Sequence, residues 1–174
     1  MPCPLRDPCK KLIDKATAMP LVARLILVFA IIELGFAFVM EYGFGYQPCE
    51  LCLLERVPYI AVIVLAGLAC LPPLYPYAKI FLGLCGLAFL IGFGLSTFHT
   101  GVERHWWLGT PGCAVTPLDG NSVESLRQQL LHMAVARCDQ IVWTLWGLSM
   151  ANWNALDSLT LAVFTFYAAR KASR

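Results

Sequence analysis

The chain has 174 residues, of which 59% are hydrophobic and only 14% charged. A soluble domain carries nearer a quarter charged residues, so this composition belongs to a protein that lives among lipids. The net charge of +2 is too small to imply a nucleic-acid partner.

The first 19 residues form a tail containing Arg6, Lys10, Lys11 and Lys15. The first apolar run begins near residue 20 with no small-residue cleavage pattern after it, so a retained anchor is expected rather than a cleaved leader. A helical span needs about 20 mostly apolar residues. The candidates are residues 21–40, 57–71 (which can borrow Leu51–Leu54), 80–98 and 151–169. These runs are continuously apolar, which is unlike the alternation of a membrane β-barrel. The sequence therefore predicts an all-α membrane protein, one domain built as a four-transmembrane-helix bundle, with outer loops at 41–56 and 99–150.

Cations set the orientation. They crowd the N-terminal tail, the short 72–79 link (Lys79) and the C-terminal end (Arg170, Lys171, Arg174), whereas 41–55 has neither Lys nor Arg. Both termini and the middle link are expected in the cytoplasm. The two outer loops then face the periplasm or an equivalent oxidising compartment, where disulfides persist.

That topology sorts the eight cysteines. Cys3 and Cys9 fall in the cytoplasmic tail and receive no role. Cys70 and Cys85 lie in or near spans, where a free cysteine behaves as a small hydrophobe. Cys49 and Cys52 lie in the first outer loop, and Cys113 and Cys138 in the second. Four such cysteines can form two disulfides or one four-thiolate site. A zinc site of that kind usually shows two close pairs, and only one pair is close here, so no metal is expected. A Cys113–Cys138 bridge would restrain a long loop. A bridge between Cys49 and Cys52 restrains very little chain, so a redox role fits that pair better.

In QPCELCLLER, Arg56 stands four residues after Cys52 and shares its helical face. A guanidinium there favours a thiolate, as does the positive end of a helix beginning at the motif. The competing reading of Arg56 is an interfacial residue that snorkels. No haem, flavin, nucleotide or iron–sulfur pattern supplies an electron acceptor. A lipid-soluble quinone fits a dithiol at the bilayer surface, and His99, at the outer end of the third span, could hydrogen-bond a quinone oxygen. Glu33 inside the first span is costly and is read as structural; Asp157 is read as interfacial. The long loop opens with HTGVERHWWLGTPGC, which offers Trp106 and Trp107 to the interface and presents Cys113 on an exposed turn. Residues 122–135 carry Val123, Leu126, Leu130 and Met133 or Ala134 at helical spacing, the pattern of a short amphipathic helix lying on the bilayer or the bundle top.

The combination of PCELCLLER, FHTGVE, Cys113 and RCDQIVWTLWGLSMANWNAL resembles the disulfide bond formation protein B family, bacterial inner-membrane thiol:quinone oxidoreductases. The resemblance covers nearly the whole chain after the tail. It implies re-oxidation of a periplasmic thioredoxin-fold oxidase of the DsbA type, with electrons passed to ubiquinone or menaquinone. It further implies that Cys113 forms the mixed disulfide with the partner and that Cys138 exchanges with the Cys49–Cys52 bridge at Cys49. Cys52 would donate to the quinone beside Arg56 and His99, and Glu55 matches a family position. A dithiol of the DsbA type lies at about −120 mV, so the acceptor must supply the driving force. Vitamin K epoxide reductase-like enzymes also join a Cys-x-x-Cys to loop cysteines, but there the motif is expected late in the chain. A specialised paralogue with another thiol partner is a nearer rival. A non-enzymatic scaffold with structural disulfides and a small transporter are the rivals from other classes.

Overall fold

The computed structural model describes residues 6–110, 113, 123–124, 127 and 136–171, with side chains from residue 20 onward. The amphipathic segment expected at 122–135 lies outside the described residues except for Val123, Glu124 and Arg127.

Four long helices carry the fold. The first, α1 (Arg6–Phe38), starts well before the expected span and tolerates Pro20 within it. It widens into a π-helical turn, Val39–Gly43, and the chain leaves through Gly45 at φ +78°, a conformation that favours glycine. After Pro48, α2 (Glu50–Ala69) begins at the cysteine motif itself, seven residues ahead of the expected start of the span. A 3₁₀ turn rich in proline, Pro72–Tyr77, returns the chain into α3 (Ala78–Glu103). Two short strands, β1 (Thr144–Leu145) and β2 (Leu148–Ser149), pair antiparallel, Thr144 facing Ser149 and Leu145 facing Leu148. Trp146 and Gly147 between them both have positive φ, as a two-residue hairpin turn demands. The hairpin leads directly into α4 (Met150–Lys171), whose last turn carries Arg170 and Lys171.

Three segments are long and apolar enough to cross a membrane: Pro20–Gly43, Glu50–Ala69 and Pro72–Glu103. The hydropathy of α4 is lowered by Asn152, Asn154 and Asp157 in its first half, so it is not among the three. The burial pattern inverts that of a soluble protein. Leu21, Leu25, Val28 and Ile32 on α1, Leu87 and Ile91 on α3 and Val163 on α4 all face outward. The core between the helices is made largely of small residues: Ala23 and Ala30, Ala66 and Ala69, Ala78 and Ala88, Ala162 and Ala169, with Ile26, Val62, Leu82 and Phe89 filling the centre. Small residues let helix backbones approach where lipid supplies no hydrophobic driving force. Gly86 shows this directly, because a Cβ there would lie 2.9 Å from the Phe166 ring of α4.

Packing runs in sequence, α1 on α2, α2 on α3 and α3 on α4, the last most extensively. The ring closes only slightly between α4 and α1. That weak seam positions the site.

Candidate functional site

Cys49 is the N-cap of α2, with extended backbone, and its Sγ accepts the backbone N–H of Cys52 at 3.3 Å. Cap geometry brings the two side chains together, Sγ to Sγ 2.8 Å, as free thiols. Hydrogen bonding from Cys52 holds the Cys49 thiol below its ordinary range, against the opposing effect of burial.

His99, one helical face away on α3, is only 5% exposed. Its Nε2 lies 3.6 Å from Cys49 Sγ and its Nδ1 2.8 Å from Glu55 Oε1. Glu55 is likewise buried, 7% exposed. Its second oxygen accepts from Asn154 Nδ2 of α4 at 2.7 Å. Asn154 Oδ1 accepts in turn from Tyr59 Oη at 2.7 Å, and Tyr59 Oη also lies 3.2 Å from Ser158 Oγ. A carboxylate on one side of the imidazole fixes Nδ1 as the protonated nitrogen and leaves the Nε2 lone pair facing the thiol.

Arg56 shares the outer end of α2 with Cys52. Its Nη1 donates to Glu41 Oε2 at 2.6 Å, and its guanidinium lies 5.0 Å over the Phe38 ring. The cation expected beside the thiols is thus tied to the end of α1. Cys52, Glu55, Arg56 and His99 all line one cleft of about 370 Å³ at the α1–α4 seam, whose walls are otherwise mostly apolar. Glu33 and Asp157 face this cleft as well.

Cys113 and Cys138 are disulfide-bonded, with Cα atoms 5.1 Å apart. They pack with Cys49, Leu51 and Val102 into a single buried cluster that Cys52 adjoins. Cys113 is 4% exposed and Cys138 fully buried. This corrects the exposed turn expected for Cys113: Thr110 Oγ1, 2.7 Å from Glu50 Oε2 and 3.2 Å from Cys113 Sγ, ties the segment down onto the start of α2. Outside the cluster, exposed Arg137 bonds Asp139 at 2.8 and 2.5 Å and holds its carboxyl below the usual range.

The seven residues singled out in the sequence therefore meet: four cysteines in or beside one cluster, and Glu55, Arg56 and His99 around it. Sequence reasoning missed Asn154, Tyr59, Ser158 and Glu41. A signal for three of them was present, because Glu55 and Tyr59 are four apart on one apolar helix and Asn154 and Ser158 four apart on another. Matching polar pairs at helical spacing imply that the two faces meet. Cys49, Cys52 and His99 also bring three metal-capable donor atoms within 4.8 Å of one another.

A dithiol capping one helix, a disulfide packed on it and an apolar cleft alongside make one cysteine-rich site on a helical membrane-type bundle. The family model for disulfide bond formation protein DsbB matches residues 20–168, and the chain belongs to that family. It is similar to an uncharacterized protein of Rickettsia prowazekii, 31% identical over 147 residues that cover 82% of this chain and 84% of that one. Disulfide bond formation protein B of Acinetobacter baylyi is 29% identical, covering 86% of this chain and 91% of its own. The protein of the same name from Chromobacterium violaceum is 32% identical, covering 77% and 82%. No solved structure matches significantly. By family, this is a disulfide-forming oxidoreductase of the membrane.

Proposed function

We propose that the chain re-oxidises a soluble thioredoxin-fold oxidase of the DsbA type and delivers the electrons to a membrane quinone, ubiquinone or menaquinone. It would do so from the bacterial inner membrane, with four spans, cytoplasmic termini and periplasmic redox loops. The observation that carries this reading is the position of Cys49–Cys52, with Cys113–Cys138 packed on one side and a lateral apolar cleft on the other.

Exchange proceeds pair to pair. The partner's dithiol reduces Cys113–Cys138 through a mixed disulfide at Cys113, and the two thiols released reduce a Cys49–Cys52 bridge, beginning at Cys49. Returning Cys49 and Cys52 to the disulfide releases two electrons and two protons. A quinone held among Cys52, Arg56, Glu55 and His99 supplies an acceptor for both; the donors and apolar walls of the cleft suit a flat ring with polar oxygens.

The side chains prepare that step. His99 Nε2 takes the Cys49 proton, and Glu55 both fixes the tautomer and balances the imidazolium charge. Asn154 fixes the other Glu55 oxygen, which holds the carboxylate in line with the ring. Closing the Cys49–Cys52 bond would break the Cys52 S–H bond as well, so that the two electrons and the Cys52 proton would leave toward the acceptor in the cleft while the Cys49 proton is held on His99. Arg56 keeps a positive charge at the cleft wall, with Glu41 and Phe38 holding it in place.

The test is reduction of ubiquinone or menaquinone by purified protein given a reduced DsbA-type partner, followed by quinone absorbance. Electron transfer to one of the two is expected. The reading fails if neither quinone is reduced while the partner's thiols remain available.

A further inference from the structure

We propose that Cys49, Cys52 and His99, in the reduced state of the pair, form a binding site for a soft divalent ion such as Zn²⁺, and that the ion blocks re-oxidation while it is bound. Binding stands independently of the quinone reading, and only the block on re-oxidation rests on it.

The geometry is that of a three-ligand site with a supporting shell. Zinc binds thiolate sulfur at about 2.3 Å and imidazole nitrogen at about 2.0–2.1 Å, so tetrahedral ligands of the two kinds stand about 3.6 Å apart. Cys49 Sγ and His99 Nε2 are already 3.6 Å apart. The two sulfurs, now 2.8 Å apart, must open by about 1 Å to reach tetrahedral spacing. Cys52 borders the cleft and has room to turn.

The second shell is also in place. A metal-ligating histidine almost always gives its other N–H to a carboxylate or carbonyl, which fixes the ring and raises its basicity. Glu55 does this for His99, and Asn154 holds Glu55. The fourth position opens on the cleft, where water can complete the shell. Two thiolates cancel the charge of the ion, and thiolate with imidazole is a soft donor set that favours zinc over magnesium or calcium.

Uptake follows M²⁺ + 2 Cys–SH → M(S–Cys)₂ + 2 H⁺, with no electron transferred. The disulfide form has no thiolates to offer, so the site exists only while the pair holds electrons. An ion there occupies the lone pairs that would form the Cys49–Cys52 bond and the Nε2 that would take the Cys49 proton. Cys70 and Cys85 present no such donor cluster among the described residues.

The experiment is titration of the reduced full-length chain, freed of reductant, with Co²⁺ and then Zn²⁺. It is run in a Cys3→Ser/Cys9→Ser background with Cys113→Ser/Cys138→Ser. One Co²⁺ per chain is expected, with a thiolate charge-transfer band that Zn²⁺ abolishes by displacement. Both signals disappear when the Cys49–Cys52 pair is oxidised, a control that needs no further substitution. Cys52→Ser removes the band, and Glu55→Gln weakens affinity by about tenfold or more. Uptake that is absent, that persists in the oxidised chain or that is unchanged in Cys52→Ser overturns the site. In the parent protein Zn²⁺ should slow quinone reduction and EDTA restore it; full activity with zinc bound overturns the block alone.

Discussion

Replacing Glu55 by Gln separates chemistry from folding. In the parent, His99 Nδ1 and Asn154 Nδ2 each have a Glu55 oxygen to bond, at 2.8 and 2.7 Å. A glutamine can turn its oxygen to Asn154 and its NH₂ to His99, provided that the imidazole shifts its proton to Nε2. All the buried groups are then paired, and a fully paired exchange costs about 1 kcal/mol or less. The tautomer is wrong, however: a protonated Nε2 facing Cys49 cannot accept the thiol proton. General base assistance is worth about 10²–10⁴ in rate, so quinone reduction in single turnover should fall by about that factor while the melting temperature barely moves. Glu55→Ala instead strands the buried His99 Nδ1–H at about 1–3 kcal/mol, with the half-buried Asn154 amide also losing its partner, and should destabilise clearly. Stopped-flow quinone absorbance and thermal unfolding of the same preparations give both numbers. A Glu55→Gln rate within about tenfold of the parent, equivalent to about 1.4 kcal/mol of barrier, refutes the assigned role of the dyad.

Three further outcomes test separate parts. Cys49 should be alkylated with a pH midpoint below that of a free thiol, because bonding from Cys52 lowers its pKa; the thiolate is then present at lower pH, and Cys52→Ala should move the midpoint up. Cys138→Ser, given the partner in its disulfide form, should trap a mixed disulfide as the Cys113 thiolate attacks and breaks the partner's bridge, resolved by non-reducing electrophoresis and mass spectrometry, whereas Cys113→Ser should give none yet still form the Cys49–Cys52 bridge. Gly101→Ala should destabilise by about 1–3 kcal/mol in thermal unfolding. Its new Cβ would overlap the indole of Trp107, which is held by a bond from Nε1 to the Phe98 carbonyl at 2.9 Å and by stacking on Phe98.

Apolar length made α3 legible, and it contains residues 80–98 entirely; α4 contains residues 151–169, but its hydropathy does not set it among the candidate spans. The start of α2 was less legible. A span count looks for the apolar run, whereas the helix begins where Cys49 caps it, inside a stretch that also holds Glu50, Glu55 and Arg56. The Glu55/Tyr59 and Asn154/Ser158 spacings hinted at one set of contacts, whereas the partner of Arg56 left no such signal. Whether Arg56 meets Cys52 or Glu41 depends on where the π-helical turn of Val39–Gly43 places α1, a tertiary fact with no local spacing to announce it. The burial of Cys113 was hidden for the same reason. TPGC reads as an exposed turn, and only the fold shows Glu50 waiting beneath Thr110.

That burial bears on how one disulfide can serve two partners. Packed against Cys49, Cys113–Cys138 is placed for internal exchange and closed to a protein arriving from outside. Under the proposed function, the Thr110 contact with Glu50 has to open before a soluble partner reaches Cys113. A single hydrogen bond of this kind is worth about 0.5–1.5 kcal/mol net, so the contact disfavours opening without forbidding it. Under the proposed function, partner binding can supply that much. On the other side of the site, the weak α1–α4 seam already leaves Cys52 on a lateral cleft.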